Sequence, residues 1–218
     1  MASKVYSSEP RALIEKRTLE LLNAAEEIVA GSPRGVGDAV QEVLSERFQE
    51  VLGDLAGDYS SSFARRAMAD LAFTDLDGGY HVIDVKTHRA DSKFNMPNLV
   101  SVERLARFYE DDTNVFSVLY VRYTTVEKRI VVDHVTFVPI EWLSWSCLTL
   151  GALGWGQIQI ANANRIEVVP GTSRRAWMLQ LCEELLEFYP KEVQKIAKRI
   201  LHFEKVRARW QAREDDTR

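Results

Sequence analysis

The stretch from Arg66 to Asn98 constrains the fold of this chain more than any other stretch. It contains two short apolar segments joined by Asp75-Leu-Asp-Gly78-Gly79, and a polar loop follows the second segment. Asp-Gly-Gly supplies the positive-φ positions that a tight hairpin needs, so the two segments are predicted to be adjacent antiparallel strands. In such a hairpin, the start of the first strand lies beside the end of the second.

Three charged side chains occupy those neighbouring positions. Asp70 lies near the start of the first strand, and Asp84 lies near the end of the second. Lys86 follows Asp84 by two residues, so both side chains point to the same face of the strand. We therefore expect two carboxylates and an ammonium group to meet at one edge of an otherwise apolar hairpin.

The residues leave two interpretations of this cluster open. A cross-strand pair of Asp and Lys is often only a weak surface salt bridge. Two converging carboxylates on an apolar strand, however, repel each other unless a cation neutralises them. A hard divalent ion, which prefers oxygen ligands, would do so.

The composition predicts an ordinary soluble protein. At 218 residues, with 46% apolar and 28% charged residues, the chain fits one domain spanning 1–218, with N-terminal helices and a C-terminal basic helix. Cys147 and Cys182 form neither a metal-binding spacing nor a disulfide framework, which favours the cytoplasm. We expect no membrane partner, because no signal peptide and no spanning apolar run are present. The net charge of −4 neither requires nor excludes nucleic acid.

Periodicity and turn residues predict helices and strands in alternation, which is typical of an α/β protein. The predicted strands after the hairpin are two neighbours and a shorter strand near residue 160. The expected elements are helices at Ser8–Ala30 and Gly37–Leu55 with a loop at Ser32–Gly35, a helix capped by Asn98, strands at Val115–Tyr123 and Arg129–Val138, a short helix from Pro139 and a strand at Gln157–Ile160.

Two helices are predicted at the C-terminal end, one from Gly171–Ser173 to about Phe188 and a basic one from Pro190 to about Arg213. The basic side chains would either contact phosphates or form the solvated face of an amphipathic helix with interleaved glutamates. Both interpretations stay open at this stage. The residues concerned are Lys191, Lys195, Lys198, Arg199, Lys205, Arg207 and Arg209.

The arrangement Asp70 … Asp84-Val85-Lys86 resembles the motif of the PD-(D/E)XK nuclease superfamily, with Ala69 in place of the usual proline. Asp-Val-Lys-Thr, a polar loop and Pro97-Asn98 before Ser101 resemble the HincII/EcoRV-like type II restriction endonucleases more closely. Further segments similar to that branch follow in the same order. They are Trp155-Gly-Gln157-Ile-Gln159 and Gly171-Thr-Ser-Arg-Arg-Ala-Trp177.

The resemblance implies a restriction-endonuclease-like core with a mixed β-sheet flanked by helices. It implies Mg²⁺-dependent cleavage of a palindromic sequence in double-stranded DNA, with blunt ends and 5′-phosphates, by a homodimer paired with a DNA methyltransferase. Asp70, Asp84 and Lys86 would be catalytic. The metal ligands would be Asp70, Asp84, the carbonyl of Val85 and, as an outer ligand, Glu42. Mn²⁺ would replace Mg²⁺, and Ca²⁺ would support binding without cleavage.

The same resemblance places DNA contacts in the loops and in the strand near residue 160. Asparagine pairs well with adenine edges, and a wedging side chain can unstack a base step. The expected DNA-binding residues are Lys93, Asn95, Met96, Asn98, Ser101, Gln157, Gln159, Asn162, Asn164 and Arg165.

Two other functions fit the same residues. One is a structure-specific nuclease of the same fold, such as a junction resolvase or a repair nuclease, and its substrate would be branched DNA. The other is a DNA-binding protein that retains the fold without catalysis. The presence of Asp70, Asp84 and Lys86 together argues against the second.

Overall fold

The structure is a computed structural model that describes residues 3–25, 28, 31–59, 69–127 and 129–213. The chain divides into two compact units between Ser173 and Arg174. The C-terminal helix lies in the second unit, and the expectation of one domain over 1–218 stays a prediction.

The first unit is built on a mixed β-sheet. The strands described are β1 Ala56–Tyr59, β2 Leu71–Asp75, β3 Tyr80–Arg89, β4 Asn98–Ser101, β5 Asn114–Val126, β6 Arg129–Pro139, β7 Leu148–Gly151 and β8 Gln157–Ile160. Five of them form a sheet in the order β1-β2-β3-β5-β6, in which β3 and β5 run parallel and the other neighbours antiparallel. The other three form an antiparallel sheet in the order β4-β8-β7. The predicted α/β class is confirmed, as are the pairing of β5 with β6 and the strand β8.

Two helices cover one face of the five-stranded sheet. The helices described in the first unit are α1 Ser8–Ala24, α2 Pro33–Leu52 and α3 Val102–Phe108. α1 and α2 bury apolar side chains in one cluster with Ile83 and Val85 of β3, and each such buried side chain contributes about 1.5–3 kcal/mol. Successive strand residues point to opposite faces, so Asp84 and Lys86 point away from these helices.

The boundaries of the two N-terminal helices differ from the prediction. α2 begins at Pro33, because Ser32 Oγ accepts a hydrogen bond from Gly35 N at 3.1 Å and proline suits the first helical position. The predicted loop at Ser32–Gly35 was therefore wrong. α1 ends at Ala24, and residues 26, 27, 29 and 30 of its predicted end lie outside the described residues.

The predicted hairpin is confirmed. β2 and β3 pair in antiparallel register, and the turn between them has Gly78 at φ 86°, where a side chain would be strained. Residues 66–68, the predicted start of the first strand, lie outside the described residues. β3 extends to Arg89, so the polar loop begins three residues later than expected.

The turn is anchored by the buried carboxylate of Asp75. Its Oδ2 accepts a hydrogen bond from Ser3 Oγ at 2.5 Å and lies 2.9 Å from His81 Nε2. The other nitrogen of His81 lies 3.0 Å from the hydroxyl of Tyr6, which in turn lies 2.5 Å from Ser117 Oγ. Burial opposes ionisation of Asp75, but hydrogen bonds from Ser3, His81 and the turn backbone outweigh it and lower its pKa. Ser3 and Tyr6 therefore connect the N-terminal residues to the hairpin.

Asn98 does not cap a helix, and that prediction was wrong. It begins β4, whose residues Leu99 and Val100 are buried. The cap of α3 is Ser101, whose Oγ accepts a hydrogen bond from Arg104 N at 3.2 Å. The short helix expected from Pro139 is confirmed as one 3₁₀ turn at Ile140–Trp142.

The second unit contains one long helix, α4 Arg174–Gln211, with Pro190 in its interior. The predicted break at Pro190 was wrong. Proline removes the hydrogen bond to the carbonyl of Leu186 and its ring crowds that carbonyl, but the strong helix formers on either side continue the helix. Among the described helices, none has an apolar stretch long enough to cross a membrane.

We predict that Asp75→Ala lowers the free energy of unfolding by about 2–4 kcal/mol, because it leaves buried His81 without its carboxylate. Asp77→Ala is the matched control, since that carboxylate is half-exposed and pairs with exposed Lys4; its expected effect is within about 0.5 kcal/mol. Urea denaturation of both variants checks this, and equal losses would contradict it.

Candidate functional site

The register of the hairpin brings the two carboxylates together. Leu71 pairs with Ile83, and Asp70 N donates a hydrogen bond to Ile83 O at 2.9 Å, so the ladder continues to Asp70. The next residue of β3, Asp84, thus lies opposite Asp70. Both side chains share the sheet face that α1 and α2 leave uncovered.

The backbone of Val85 fixes the position of Asp70. Val85 N donates a hydrogen bond to Asp70 Oδ2 at 2.7 Å. In a strand, the N–H and C=O of one residue point to the same side. The carbonyl of Val85 therefore points to the side of β3 on which Asp70 lies, where it adds an oxygen donor near the carboxylates.

Asp84 is only partly neutralised by Lys86. Lys86 Nζ lies 2.6 Å from Asp84 Oδ1. Asp84 is 5% exposed, and its other oxygen, Oδ2, is buried without a hydrogen-bond partner in the part of the chain that the structure describes. A buried carboxylate oxygen without a partner costs free energy. The salt bridge is thus present, but it does not satisfy the whole carboxylate.

The local electrostatics favour an added cation. Burial raises the pKa of Asp84 to about 7, and nearby Asp70 raises it as well, against the attraction of Lys86. Burial also raises the pKa of Asp70, against the hydrogen bond from Val85 and the charge of Lys86. One ammonium group faces two carboxylates, so one negative charge remains when both are ionised.

The donor set fits a hard divalent cation. Two carboxylates and a backbone carbonyl are oxygen ligands of the kind that Mg²⁺, Mn²⁺ and Ca²⁺ prefer. Glu42, the expected outer ligand, is exposed on α2, which packs on the opposite sheet face. Within the described residues, no group of three or more His, Cys, Asp or Glu side chains is placed to hold a metal ion. Glu42 therefore does not join Asp70 and Asp84.

The three-stranded sheet carries amide side chains on β8 and on the neighbouring strand β4. Gln157 and Gln159 alternate with buried Ile158 and Ile160 along β8. Gln159 Nε2 donates to Asn98 Oδ1 at 2.5 Å across the β4–β8 pair.

Gly151 leaves room for the hydrogen-bonded side chains of Gln159 and Asn98. A Cβ at Gly151 would lie 2.7 Å from Gln159 Oε1, a distance that real contacts do not reach. Ser101 pairs with Gln157 further along the same two strands, after a shift in register. The structure thus brings together Asn98, Ser101, Gln157 and Gln159.

Asn164 has a structural role in the loop after β8. Its Oδ1 lies 2.8 Å from His88 Nε2, and its Nδ2 donates to the carbonyls of Ser92 at 2.9 Å and Lys93 at 3.3 Å. Asn162 Oδ1 accepts from Asn164 N at 3.0 Å. These contacts join the end of β3 to the loop, so the amide of Asn164 is already engaged.

The remaining predicted contacts lie in the same two loops. The carbonyl of Asn95 accepts a hydrogen bond from Ala163 N at 2.8 Å, which joins the loop after β3 to the loop after β8. Lys93, Met96 and Arg165 expose their side chains in these loops.

Sequence reasoning missed His88. It follows Asp84 by four residues and Lys86 by two, so it shares their sheet face. His88 is buried, its ring lies 6.1 Å from that of Tyr120, and it contacts Asn164. The alternation Asp84-x-Lys86-x-His88 was the available signal. Arg104 was also missed; it lines a cavity with Ser101 and Gln157.

No protein-family model and no curated protein sequence matches this chain. The chemistry of the site therefore has to be inferred from its own geometry.

We predict that Asp84→Asn stabilises the metal-free protein at high pH. The folded state holds a proton on Asp84 up to a pH of about 7, whereas the ordinary pKa of an aspartate is 3.8. The contribution of Asp84 to the wild-type free energy of unfolding should therefore fall as pH rises from about 4 to 7, by up to about 1.4 kcal/mol per pH unit. Chemical denaturation at pH 5 and pH 8 measures this. The free energy of unfolding of the variant, relative to that of the wild type, should be higher at pH 8 than at pH 5.

The matched control is Asp58→Asn, since Asp58 is exposed on the edge strand β1. Its difference from the wild type should not change with pH. Adding Mg²⁺ at pH 8 should stabilise the wild type and not Asp84→Asn. If the difference in free energy of unfolding between Asp84→Asn and the wild type did not change with pH, burial would not disfavour the charged form of Asp84.

Proposed function

We propose that this chain is a Mg²⁺-dependent type II restriction endonuclease of the PD-(D/E)XK superfamily, with a restriction-endonuclease-like core. The observation that carries the proposal is the placement of Asp70, Asp84 and Lys86 on one sheet face, with a buried oxygen of Asp84 that lacks a partner among the described residues. This placement supports a site that would hold a cation beside a phosphate.

The carboxylates of Asp70 and Asp84 and the carbonyl of Val85 would hold the cation. Bound Mg²⁺ would supply Lewis-acid stabilisation of a phosphoryl oxygen and lower the pKa of a water molecule. Mn²⁺ would substitute, and Ca²⁺ would support DNA binding without cleavage. The hydrogen bond from Val85 N keeps Asp70 in a fixed orientation before any ligand arrives.

Lys86 is the catalytic cation that the chain itself supplies. Its ammonium group, held 2.6 Å from Asp84, would orient the attacking water and stabilise the negative charge that develops on the phosphoryl oxygens. Phosphodiester hydrolysis is slow enough to need a barrier reduction on the order of 20 kcal/mol. Positioning of the reactants and charge stabilisation by fixed groups are the effects that can lower the activation barrier by this much.

The three-stranded sheet and the loops beside it would read the DNA. Amide side chains make bidentate contacts with adenine, and Asn98 and Gln159 already hold each other in place. A palindromic target requires a two-fold homodimer. Blunt ends with 5′-phosphates and a cognate DNA methyltransferase complete the proposal. The other DNA-binding residues proposed are Lys93, Asn95, Met96, Ser101, Gln157, Asn162 and Arg165.

We predict that the wild type cuts plasmid DNA of known sequence at one repeated palindrome when Mg²⁺ is present, and that mapping the ends gives the site. Asp84→Ala should lose at least about 10³-fold in rate while still binding DNA, and Asp58→Ala should cut as the wild type does. Cleavage of branched DNA only would favour a structure-specific nuclease. Binding without any cleavage would favour a non-catalytic DNA-binding protein.

We also predict that Gln159→Ala weakens binding to the cleaved sequence roughly tenfold or more, and binding to unrelated DNA much less, because a base contact is worth about 1–3 kcal/mol. Gel-shift titration with Ca²⁺ measures both affinities. Gln49→Ala removes a comparable amide from the exposed side of α2 and is the control. An equal loss on both DNAs would remove Gln159 from base recognition.

A further inference from the structure

Helix α4 exposes large apolar side chains at a spacing of seven residues. They form two interleaved series along the helix, and the large hydrophobic members are between 40% and 67% exposed. We call these positions the heptad stripe. It consists of Leu179, Leu186, Val193 and Ile200 in the first series and Cys182, Tyr189, Ile196, Phe203 and Trp210 in the second.

This spacing is the repeat of a coiled coil. The two series occupy positions a and d of a heptad, and a strict seven-residue repeat stays on one side of a helix only if the helix supercoils around a partner. The repeat continues from Leu179 to Trp210, with Arg207 at the last a position. The basic face lies elsewhere, because Lys191, Lys198 and Lys205 occupy position f.

We propose that the heptad stripe pairs with the heptad stripe of a second copy of this chain in an antiparallel coiled coil. With Val193 placed opposite the partner's Ile196, every large ring meets an aliphatic side chain. Facing layers that alternate large and small side chains pack without voids. The other layers place Trp210 on the partner's Leu179, Phe203 on the partner's Leu186 and Tyr189 on the partner's Ile200.

A parallel pairing lacks this complementarity. Each of Tyr189, Phe203 and Trp210 would face its own copy, and Arg207 would face Arg207 of the partner subunit inside the seam. Like charges buried together are costly. In the antiparallel pairing, Arg207 faces the partner's Cys182 instead.

The charged residues beside the seam do not distinguish the two orientations. The antiparallel alignment brings Glu192 next to the partner's Arg199 and Glu183 next to the partner's Glu204, each twice by symmetry, so attraction and repulsion offset each other. Glu192 is itself buried and pairs with Lys195 of the same helix at 2.6 Å. A parallel pairing would bring Arg199 next to the partner's Glu204, and solvent screens these exposed charges. The packing layers and Arg207 therefore set the orientation.

The size of the stripe is sufficient for a specific dimer. From Leu179 to Trp210 it extends about 47 Å at about 1.5 Å per residue, and a helix is about 10–12 Å wide. The footprint is therefore about 500 Å² on each helix and about 1,000 Å² for the pair, which meets the lower limit of about 1,000 Å² for a biological interface.

The test is the oligomeric state of the full chain by sedimentation velocity over a concentration series. The wild type should be a dimer, and the double variant Ile196→Glu with Ile200→Glu should raise the dissociation constant at least ~100-fold. Leu201→Glu is the matched control, because Leu201 is 59% exposed on the same helix but lies at position b. A monomeric wild type would overturn the proposal. So would a Leu201→Glu variant that dissociates as readily as the double variant, with circular dichroism confirming the helix in each.

Cysteine cross-linking tests the orientation. In the antiparallel pair, the two copies of Cys182 lie about 38 Å apart, since 25 residues separate positions 182 and 207. Oxidised wild type should therefore form no disulfide through Cys182, Arg207→Cys should form a cross-linked dimer, and adding Cys182→Ser should abolish it. Cys147 is buried in all of them. Cross-linking of the wild type through Cys182 would overturn the antiparallel arrangement.

This inference rests on α4 and not on the proposed nuclease chemistry. A dimer that cuts no DNA would keep the coiled coil and refute the endonuclease. A wild-type dimer that cuts a palindrome, and that stays dimeric in the double variant Ile196→Glu with Ile200→Glu, would refute the coiled coil alone. Asp84→Ala should remain as dimeric as the wild type.

Discussion

The register between β2 and β3 is the constraint on which the candidate site depends. Pairing Leu71 with Ile83 puts Ile83 and Val85 into the core beneath α1 and α2 and leaves Asp84 on the other face. A slip of one residue would exchange the two faces. The burial of Ile83 and Val85, worth about 1.5–3 kcal/mol each, therefore holds Asp84 where its own charge is unfavourable.

The proposed chemistry rests on that conflict between burial and charge. Asp84 is buried with a raised pKa, one of its oxygens lacks a partner among the described residues, and Lys86 neutralises only part of the local charge. A buried titratable group whose surroundings disfavour its charged form is typical of functional sites. A divalent cation would relieve the conflict, and the proposed phosphodiester chemistry needs the same cation.

The sequence predicted those elements of the fold that local signals determine. The hairpin followed from Asp-Gly-Gly, and β8 from the alternation of its four residues. Asn98 was misassigned because β4 owes its strand to pairing with β8, more than fifty residues later in the chain, which no local pattern reports. The engagement of Asn164 by His88 is equally non-local. Pro190 does not end the helix, because the cost of one interior proline, about 3 kcal/mol, is small against the 38 residues of α4.

A crystal of this protein soaked in Mn²⁺ tests the account most directly, through the anomalous signal of the ion. The account predicts one strong peak within coordination distance of Asp70, Asp84 and the carbonyl of Val85, and its loss in Asp84→Asn. Full occupancy of other sites by Mn²⁺ with no peak between Asp70 and Asp84 would contradict it.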